Sequence, residues 1–329
     1  MILLTLVVVA ALAFDFINGF HDTANSIATV VSTRVLPPRV AIIMASILNL
    51  IGALVATSVA KTIAGDIVDG SMATTTLTLA AVIGGIFWNL LTWFFGIPSS
   101  SSHALIGGLV GAAIAHHGME GVKWAGLVSK VVVPLLVSPL VGFTLGWIIM
   151  TGINLMFANA RPHKVGNIFR RLQIASAAAM SYAHGSNDAQ KSMGIITLAL
   201  VSAGSITKAD GVPLWVKLSC AVVMALGTSV GGWRIIKTMG HKIIRLEPVN
   251  GFAAETAGAA TILVAGHFGA PVSTTHVIAS SIFGVGASKR LSAVRWEVAL
   301  NMVIAWVLTI PASAAVGALF YGILHLCGL

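Results

Sequence analysis

Long apolar segments, each interrupted by a few polar residues, recur from the first residues of the chain to the last. Most approach the ~20 residues that a helix needs to cross the hydrocarbon core of a bilayer. Because a lipid-exposed backbone must satisfy its own hydrogen bonds, we expect every segment to be helical. The pattern predicts ten membrane segments, at residues 2–33, 38–60, 74–95, 97–116, 124–157, 172–203, 213–233, 251–268, 270–287 and 296–325.

Several of these segments are too long or too interrupted to be straight helices. Pro134 and Pro139 lie inside the fifth, and a proline removes one helical hydrogen bond. Segments 97–116 and 270–287 are short, rich in glycine and begin near a proline. This favours half-helices or re-entrant hairpins, and the sequence leaves open whether the two segments cross or return.

Composition supports a polytopic membrane protein. The 329 residues are 57% hydrophobic and only 9% charged, whereas soluble domains are about a quarter charged. The formal net charge of +9 would suit a nucleic-acid binder, but most of the basic residues fall between predicted spans. The lipid bilayer is therefore the expected partner, and we expect no binding of nucleic acid. The two cysteines form neither a metal spacing nor a disulfide framework.

The basic residues also predict an orientation. If all ten segments cross, thirteen basic residues fall on one face and five on the other. The first face carries Arg34, Arg39, Arg161, Lys164, Arg170, Arg171, Arg234, Lys237, Lys242, Arg245, Lys289, Arg290 and Arg295. Because basic loops are retained in the cytoplasm, this face is predicted to be cytoplasmic and both termini to lie outside.

Two motifs occur twice, in the same order. INGFHDTANSIA (17–28) aligns with AHGSNDAQKSMG (183–194), and GIPSSSSHALIGG (96–108) aligns with GAPVSTTHVIASS (269–281). Each half holds five predicted segments, an odd number, so the second copy must enter the membrane from the opposite side. We therefore expect an all-α inverted repeat, with a first repeat at 1–157, a basic cytoplasmic linker at 158–171 and a second repeat at 172–329.

The hydroxyl motif predicts an anion site. In each copy hydroxyl residues follow a proline, at Ser99 after Pro98 and at Ser273 two positions after Pro271. A proline suits the first turn of a helix. A helix N-terminus offers free N–H groups and a partial positive charge, and hydroxyls add donors. Two such ends could hold one tetrahedral oxyanion; packing of small residues is the alternative. The candidate anion ligands are Ser99, Ser100, Ser101, Ser102, Ser273, Thr274 and Thr275.

The acidic motif predicts a cation site. A carboxylate at mid-membrane costs ~3 kcal/mol on insertion scales, so Asp22 and Asp188 need a partner or a function. The amides of Asn18, Asn25 and Asn187 stand beside them. These oxygens suit Na⁺, and a carboxylate could equally carry a proton. A polar clamp between helices is the structural alternative.

Other embedded polar residues are further candidates. Glu255 has no acidic counterpart in the first half, and we expect it to join the cation site or pair with a histidine. Gln190 could reach the substrate, and Lys191 could neutralise an aspartate or attract the anion. Gly19 and Gly185 would permit a helix break that frees backbone carbonyls.

FDFINGFHDTANSIATVVSTR (14–34) and SYAHGSNDAQKSMGI (181–195) resemble signatures of the inorganic phosphate transporter (PiT) family. With the two hydroxyl motifs, the resemblance covers both halves. It implies a bacterial low-affinity phosphate permease of the cytoplasmic (inner) membrane that imports phosphate with Na⁺ or H⁺ and carries no covalent cofactor. It assigns Asp22, Asn25, Asn187 and Asp188 to the cation, but Lys191 stands where the first repeat has Asn25, so the half-sites differ.

Several alternatives stay open from the sequence. A sulfate permease of the same fold would use the same hydroxyls, because sulfate and phosphate are both tetrahedral oxyanions. An anion channel would need no cation site. An intramembrane hydrolase based on Ser102 and His103 is disfavoured, because adjacent residues on a helix point in different directions. The oligomeric state also stays open, and a homodimer is one arrangement compatible with the sequence.

Overall fold

The structure is a computed structural model and describes residues 2–68 and 73–328, so the two terminal positions of the predicted repeats, 1 and 329, lie outside it. The described residues are mostly helical. The helices are α1 (Ile2–Ser32), α2 (Pro38–Val55), α3 (Ser58–Gly65), α4 (Thr75–Phe95), α5 (Ser101–His117), α6 (Trp124–Leu127), α7 (Val133–Met156), α8 (Pro162–Ser202), α9 (Leu214–Val230), α10 (Trp233–Lys237), α11 (Pro248–His267), α12 (Thr274–Lys289) and α13 (Trp296–Leu326). A π-helical turn at Val128–Val132 joins α6 to α7, and another at Thr238–Lys242 extends α10.

The same succession of helices occurs twice along the described chain. A long helix, a medium one, a short one, a hairpin of two helices and a long closing helix run from α1 to α7 and again from α8 to α13. The contacts are exchanged between the two sets: α2 packs on α8 while α9 packs on α1. Likewise, α13 packs on α5 while α7 packs on α12. The two halves therefore interlock.

Five helices of the described chain are long and apolar enough to cross a membrane: α1, α2, α4, the continuous rod from α6 through α7, and α13. A sixth is formed if α9 and α10 are one span, bent by 59° at their junction. The predicted number of ten segments is not confirmed by this criterion. α5 and α12 have only 17 and 16 residues, and α8 is long enough but less apolar.

The helices differ from the sequence pattern in two places. The proposed linker 158–171 is helical from Pro162 onward, because this residue opens α8. The breaks expected at Gly19 and Gly185 are absent, since α1 and α8 continue through them. These glycines instead allow close helix packing: a Cβ on Gly185 would lie 2.2 Å from the carbonyl oxygen of Asn49.

Helices α4 and α5 form one hairpin, and α11 and α12 form another. Gly96 and Gly269 end the first helix of each hairpin with φ values of 66° and 68°, where a residue without Cβ is unstrained. The chain then runs extended to an N-cap, Ser100 or Ser273, whose side chain accepts the backbone N–H three residues on. The N-termini of α5 and α12 thus lie at the two hairpin tips.

The short helices support the hairpin tips of the opposite half. Thr62 of α3 donates a hydrogen bond to the Gly269 carbonyl at 2.8 Å, and Thr238 donates to the Gly96 carbonyl at 3.0 Å. These threonines occupy matching places in the weakly similar stretches VAKTIAG (59–65) and IIKTMGH (235–241). The weak similarity therefore reflects a shared structural role.

The distribution of polar residues is inverted relative to a soluble protein. Many large apolar side chains, such as Phe95, Leu140 and Val307, are exposed on the outside. Carboxylates and amides, including Asp22, Asp188 and Glu255, are almost completely buried. This arrangement suits a molecule whose surroundings are apolar and whose interior holds the chemistry.

Candidate functional site

Asp22 of α1 and Asp188 of α8 meet in the centre of the molecule. One carboxylate oxygen from each and one ring nitrogen of His184 all lie within 4.8 Å of one another. All three residues are buried. Two carboxylates this close and away from water require positive charge or a proton between them.

The Asp22 side of this site is held by a histidine. His21 Nδ1 lies 2.6 Å from Asp22 Oδ1, and its other ring nitrogen lies 3.2 Å from the Thr92 hydroxyl. Thr92 also accepts a hydrogen bond from the Ser99 hydroxyl at 2.8 Å. The first carboxylate is thereby connected, through α4, to the start of the first hairpin tip.

The Asp188 side carries a fixed cation. Lys191, one turn further along α8, donates its ammonium group to Asp188 Oδ1. His184 Nε2 lies 3.3 Å from the other carboxylate oxygen, and its Nδ1 faces the Asn49 amide oxygen at 3.2 Å. Of the two roles considered for Lys191, neutralisation of an aspartate is the one that the geometry supports.

The second hairpin tip reaches both carboxylates. Thr274 donates to Asp188 Oδ2 at 3.2 Å, and Thr275 donates to Asp22 Oδ1 at 3.4 Å. The Asn25 amide donates to both threonine hydroxyls, at 3.1 and 2.9 Å. The predicted acidic and hydroxyl motifs are therefore in direct contact, although they lie far apart in the sequence.

The two hairpin tips also contact each other. The Ser102 hydroxyl donates to the Val272 carbonyl at 3.3 Å. The rings of His103 and His276 lie 5.0 Å apart, and His276 stacks on Trp306 at 4.0 Å. The two helix N-termini therefore converge on one buried region.

Several polar atoms in this region have no hydrogen-bond partner within the protein. They include the Ser101 hydroxyl, the Asn25 amide oxygen and both amide atoms of Asn18 and Asn187. A buried polar group without a partner costs ~1–3 kcal/mol. Their concentration near Asp22 and Asp188 indicates a place where a bound species completes the hydrogen bonding.

Two residues that the sequence singled out, Gln190 and Glu255, lie outside this cluster of contacts. The Gln190 amide oxygen accepts the backbone N–H groups of Val59 and Ala60, at 2.8 and 3.3 Å, and its amide nitrogen donates to the Ser186 carbonyl. Its polar atoms therefore support the N-terminal turn of α3.

Glu255 forms a separate polar cluster. Its carboxylate accepts hydrogen bonds from Thr29, Ser176 and Gln173, the last at 3.1 Å. Thr29 follows Asp22 by seven residues, so this cluster lies ~10 Å further along α1. Glu255 is paired with hydroxyl and amide donors, and none of its hydrogen-bond partners in the described part of the chain is a histidine.

The donors around Glu255 and the role of Thr92 were not predicted from the sequence. The position of Thr29 could have been inferred from the sequence, because it lies on the same face of α1 as Asn25, one turn further on. Ser176 and Gln173 had none, since their helix meets Glu255 only in the folded protein. Thr92 lies at the end of an apolar segment, where nothing in the pattern distinguishes it.

The phosphate transporter family model matches residues 18–164 and 156–317. A probable low-affinity inorganic phosphate transporter of Bacillus subtilis is 52% identical over 332 residues, covering 99% of this chain and 98% of the relative. A protein of the same description from Mycobacterium tuberculosis is 51% identical over 99% of this chain and 78% of its own length. The chain belongs to the phosphate transporter family.

A solved structure supports the same assignment. The structure described as "The sodium-dependent phosphate transporter" matches with a TM-score of 0.89 and 26% identity, covering 99% of this chain and 100% of that one. The resemblance seen in the sequence motifs is thereby confirmed. The family consists of transporters rather than enzymes. The several long apolar helices of this chain are those of an integral membrane protein.

Proposed function

We propose that this protein is a secondary active symporter that imports inorganic phosphate with a coupling cation by alternating access. The hydroxyls at the paired hairpin tips would bind the anion, and Asp22 and Asp188 with neighbouring amides would bind the cation. The observation that carries the proposal is the contact of Thr274 and Thr275 with the two carboxylates.

This contact supplies a physical basis for coupling. The two threonine hydroxyls donate hydrogen bonds to the carboxylates. A cation that binds the carboxylate oxygens frees those hydroxyls to donate to phosphate. Because coupling between two sites is reciprocal, bound phosphate would strengthen cation binding by the same factor.

The oxygen ligands favour Na⁺ as the coupling ion. Asp22, Asp188, Asn25 and Asn187 offer carboxylate and amide oxygens in a buried site, the ligand set typical of Na⁺ in transporters. The solved relative is described as sodium-dependent, which supports the same choice. A proton carried by a carboxylate is the outcome to be tested against it.

Glu255 is proposed as a second binding site on the path of the cation. Thr29 of α1 and Thr33, just after the end of α1, extend the line of polar residues beyond the central site. Gln173 of α8 connects them, because its amide nitrogen donates to Glu255 and its amide oxygen accepts the Thr33 hydroxyl at 2.9 Å. This polar path leads toward the arginine-rich end of the molecule, which the charge pattern predicts to be cytoplasmic.

The decisive experiment is uptake of labelled phosphate into proteoliposomes, with Na⁺ and pH gradients imposed separately and excess sulfate as competitor. We expect an imposed Na⁺ gradient to drive accumulation and sulfate to compete poorly. Accumulation driven only by a pH gradient would identify H⁺ as the coupling ion. Uptake indifferent to both gradients would exclude symport and indicate an anion channel.

Variants in the same assay test the site. Ser101→Ala combined with Thr274→Ala should raise the KM for phosphate at least tenfold, because hydrogen bonds to a charged group contribute about 1.5–3 kcal/mol each. Thr261→Val is the matched control, since the Thr261 hydroxyl bonds a carbonyl of its own helix. Unchanged KM in the double variant would leave the hydroxyl motif with a packing role.

A further inference from the structure

The arginine-rich end of the molecule contains two adjoining cavities, here called the basic cavities. Their volumes are about 440 and 570 Å³. The basic side chains that line them are Arg34, His241, Arg245, Lys289, Arg290 and Arg295. Arg245 and Arg295 line both cavities, so the two form one continuous cationic surface.

The protein offsets only a small part of the positive charge of this surface, because Glu247 is the one acidic residue among the residues of the described chain that line it. Among the described residues, the ion pairs within 4.0 Å are confined to Asp22 and Asp188 in the interior. Glu247 lines the larger cavity, but its carboxylate accepts the backbone N–H of Asn250 and caps α11. Neighbouring cations repel one another, and an anion bound between them would relieve this repulsion.

The other half of the molecule provides an internal comparison. The backbone N–H of Arg295 donates to the Ile243 carbonyl at 3.1 Å, and that of Lys123 donates to the Ile67 carbonyl at 2.9 Å. Their side chains also donate to nearby carbonyl oxygens, that of Lys123 to Gly65 and that of Arg295 to His241. Each of these two junctions, here called the Arg295 corner and the Lys123 corner, therefore has the same backbone hydrogen bond and one basic side chain that donates to a carbonyl. The two corners lie at opposite ends of the molecule.

The two corners differ in charge. The Lys123 corner has a cavity lined by Lys123, Lys130 and Asp66, so its charges are mixed. One basic residue at each corner thus donates to the backbone. The further arginines of the basic cavities have no counterpart among the described residues that line the Lys123 corner, and they need another explanation.

Arg34 adds an observation from the backbone. It has a φ of 57° in the turn that ends α1, whereas the corresponding turn after α8 has Gly204 with a φ of 67°. Both residues make the same hydrogen bond, to the carbonyl three residues earlier, at 3.0 Å. Glycine suits this conformation, so the first half keeps an arginine side chain where the backbone prefers none.

We propose that the basic cavities form a second anion-binding site, for a ligand that carries a phosphate group. Arginine binds phosphate oxygens through paired N–H donors, and two joined cavities can hold two such groups. Ser32 lines the smaller cavity and follows Asp22 by ten residues, so the site lies ~15 Å along α1 from the central carboxylates. The phosphate group belongs either to an anionic lipid headgroup or to free inorganic phosphate.

The test uses the full-length protein in detergent and two probes. Binding of short-chain phosphatidylglycerol is followed by native mass spectrometry, and binding of labelled inorganic phosphate by equilibrium dialysis. The test variant is Arg34→Gly with Arg245→Gln, in which glycine suits the backbone of α1's last turn. The matched control is Lys123→Gln with Lys130→Gln at the opposite corner, and thermal melting checks that both variants fold.

We expect about fivefold weaker binding for each cation removed, hence ~25-fold for the test variant, and little change in the control. Loss of phosphatidylglycerol binding with phosphate stoichiometry unchanged identifies a lipid site. A fall in phosphate stoichiometry from two sites to one identifies a site for free phosphate. The proposal is overturned if the test variant binds both probes like the parent, or if the control loses as much binding.

Discussion

At the scale of single residues, Lys191 makes the two halves of the central site chemically different. Asp188 already has the Lys191 ammonium as its counter-ion. At the matching position of the first half, the Asn25 amide donates to hairpin hydroxyls, and no lysine among the residues that the structure describes pairs with Asp22. The exchangeable cation is therefore proposed to bind on the Asp22 side.

Lys191→Asn, which installs the residue of the first half, should increase the number of coupling cations. Removing one partner of a buried ion pair costs about 3–5 kcal/mol unless another cation replaces it. We expect a lower melting temperature without Na⁺, recovery at high Na⁺, and a Hill coefficient for Na⁺ in uptake that rises by about one. Lys164→Asn, an exposed position on the same helix, serves as control; equal Na⁺ dependence in both variants would contradict the asymmetric site.

At the scale of elements, the glycines of the long helices serve packing. Gly19 and Gly185 align in the repeated motif, and the sequence suggested that both break their helices. Each instead faces the backbone of a helix from the other half, where a Cβ on Gly19 would lie 2.5 Å from the Met224 carbonyl oxygen. The sequence shows that each position is a glycine, but the backbone of the neighbouring helix is the reason why a side chain is excluded there.

Gly185→Ala should destabilise the protein by roughly 1–3 kcal/mol, because α2 and α8 must separate to admit the methyl group. Gly152→Ala is the matched control, since a Cβ at Gly152 in α7 meets nothing within 4 Å. Alanine has the higher helix propensity, so the control should be neutral or slightly stabilising. Melting temperatures in detergent distinguish the two, and an equally stable Gly185→Ala protein would argue against the close contact.

At the scale of the whole molecule, each half completes the packing of the other. α2 lies on α8 and α9 on α1, and each hairpin packs against a closing helix of the opposite half. Threonines of the short helices bind the hairpin tips across the same boundary. Neither half can therefore bury its polar groups alone.

Division of the chain between α7 and α8, at the connection 157–161, should yield two fragments that depend on each other. We expect a tagged first fragment to copurify with the second when both are expressed, and each to be degraded when expressed alone. Co-purification and uptake in reconstituted vesicles are the measurements. A fragment that is stable and monodisperse by itself would show that the exchanged contacts are dispensable.

The sequence by itself determined the helical membrane class, the paired motifs and the difference between Asn25 and Lys191. These follow from apolar segment length, from self-similarity and from the cost of burying charge, all of which are local in the chain. Only the tertiary structure decided that Thr274 meets Asp188 while Thr275 meets Asp22, from which it is separated by 253 positions. It likewise placed the Gln190 side chain of α8 against the first turn of α3. Helix rotation and packing register decide which side chains face each other, and no local pattern specifies them.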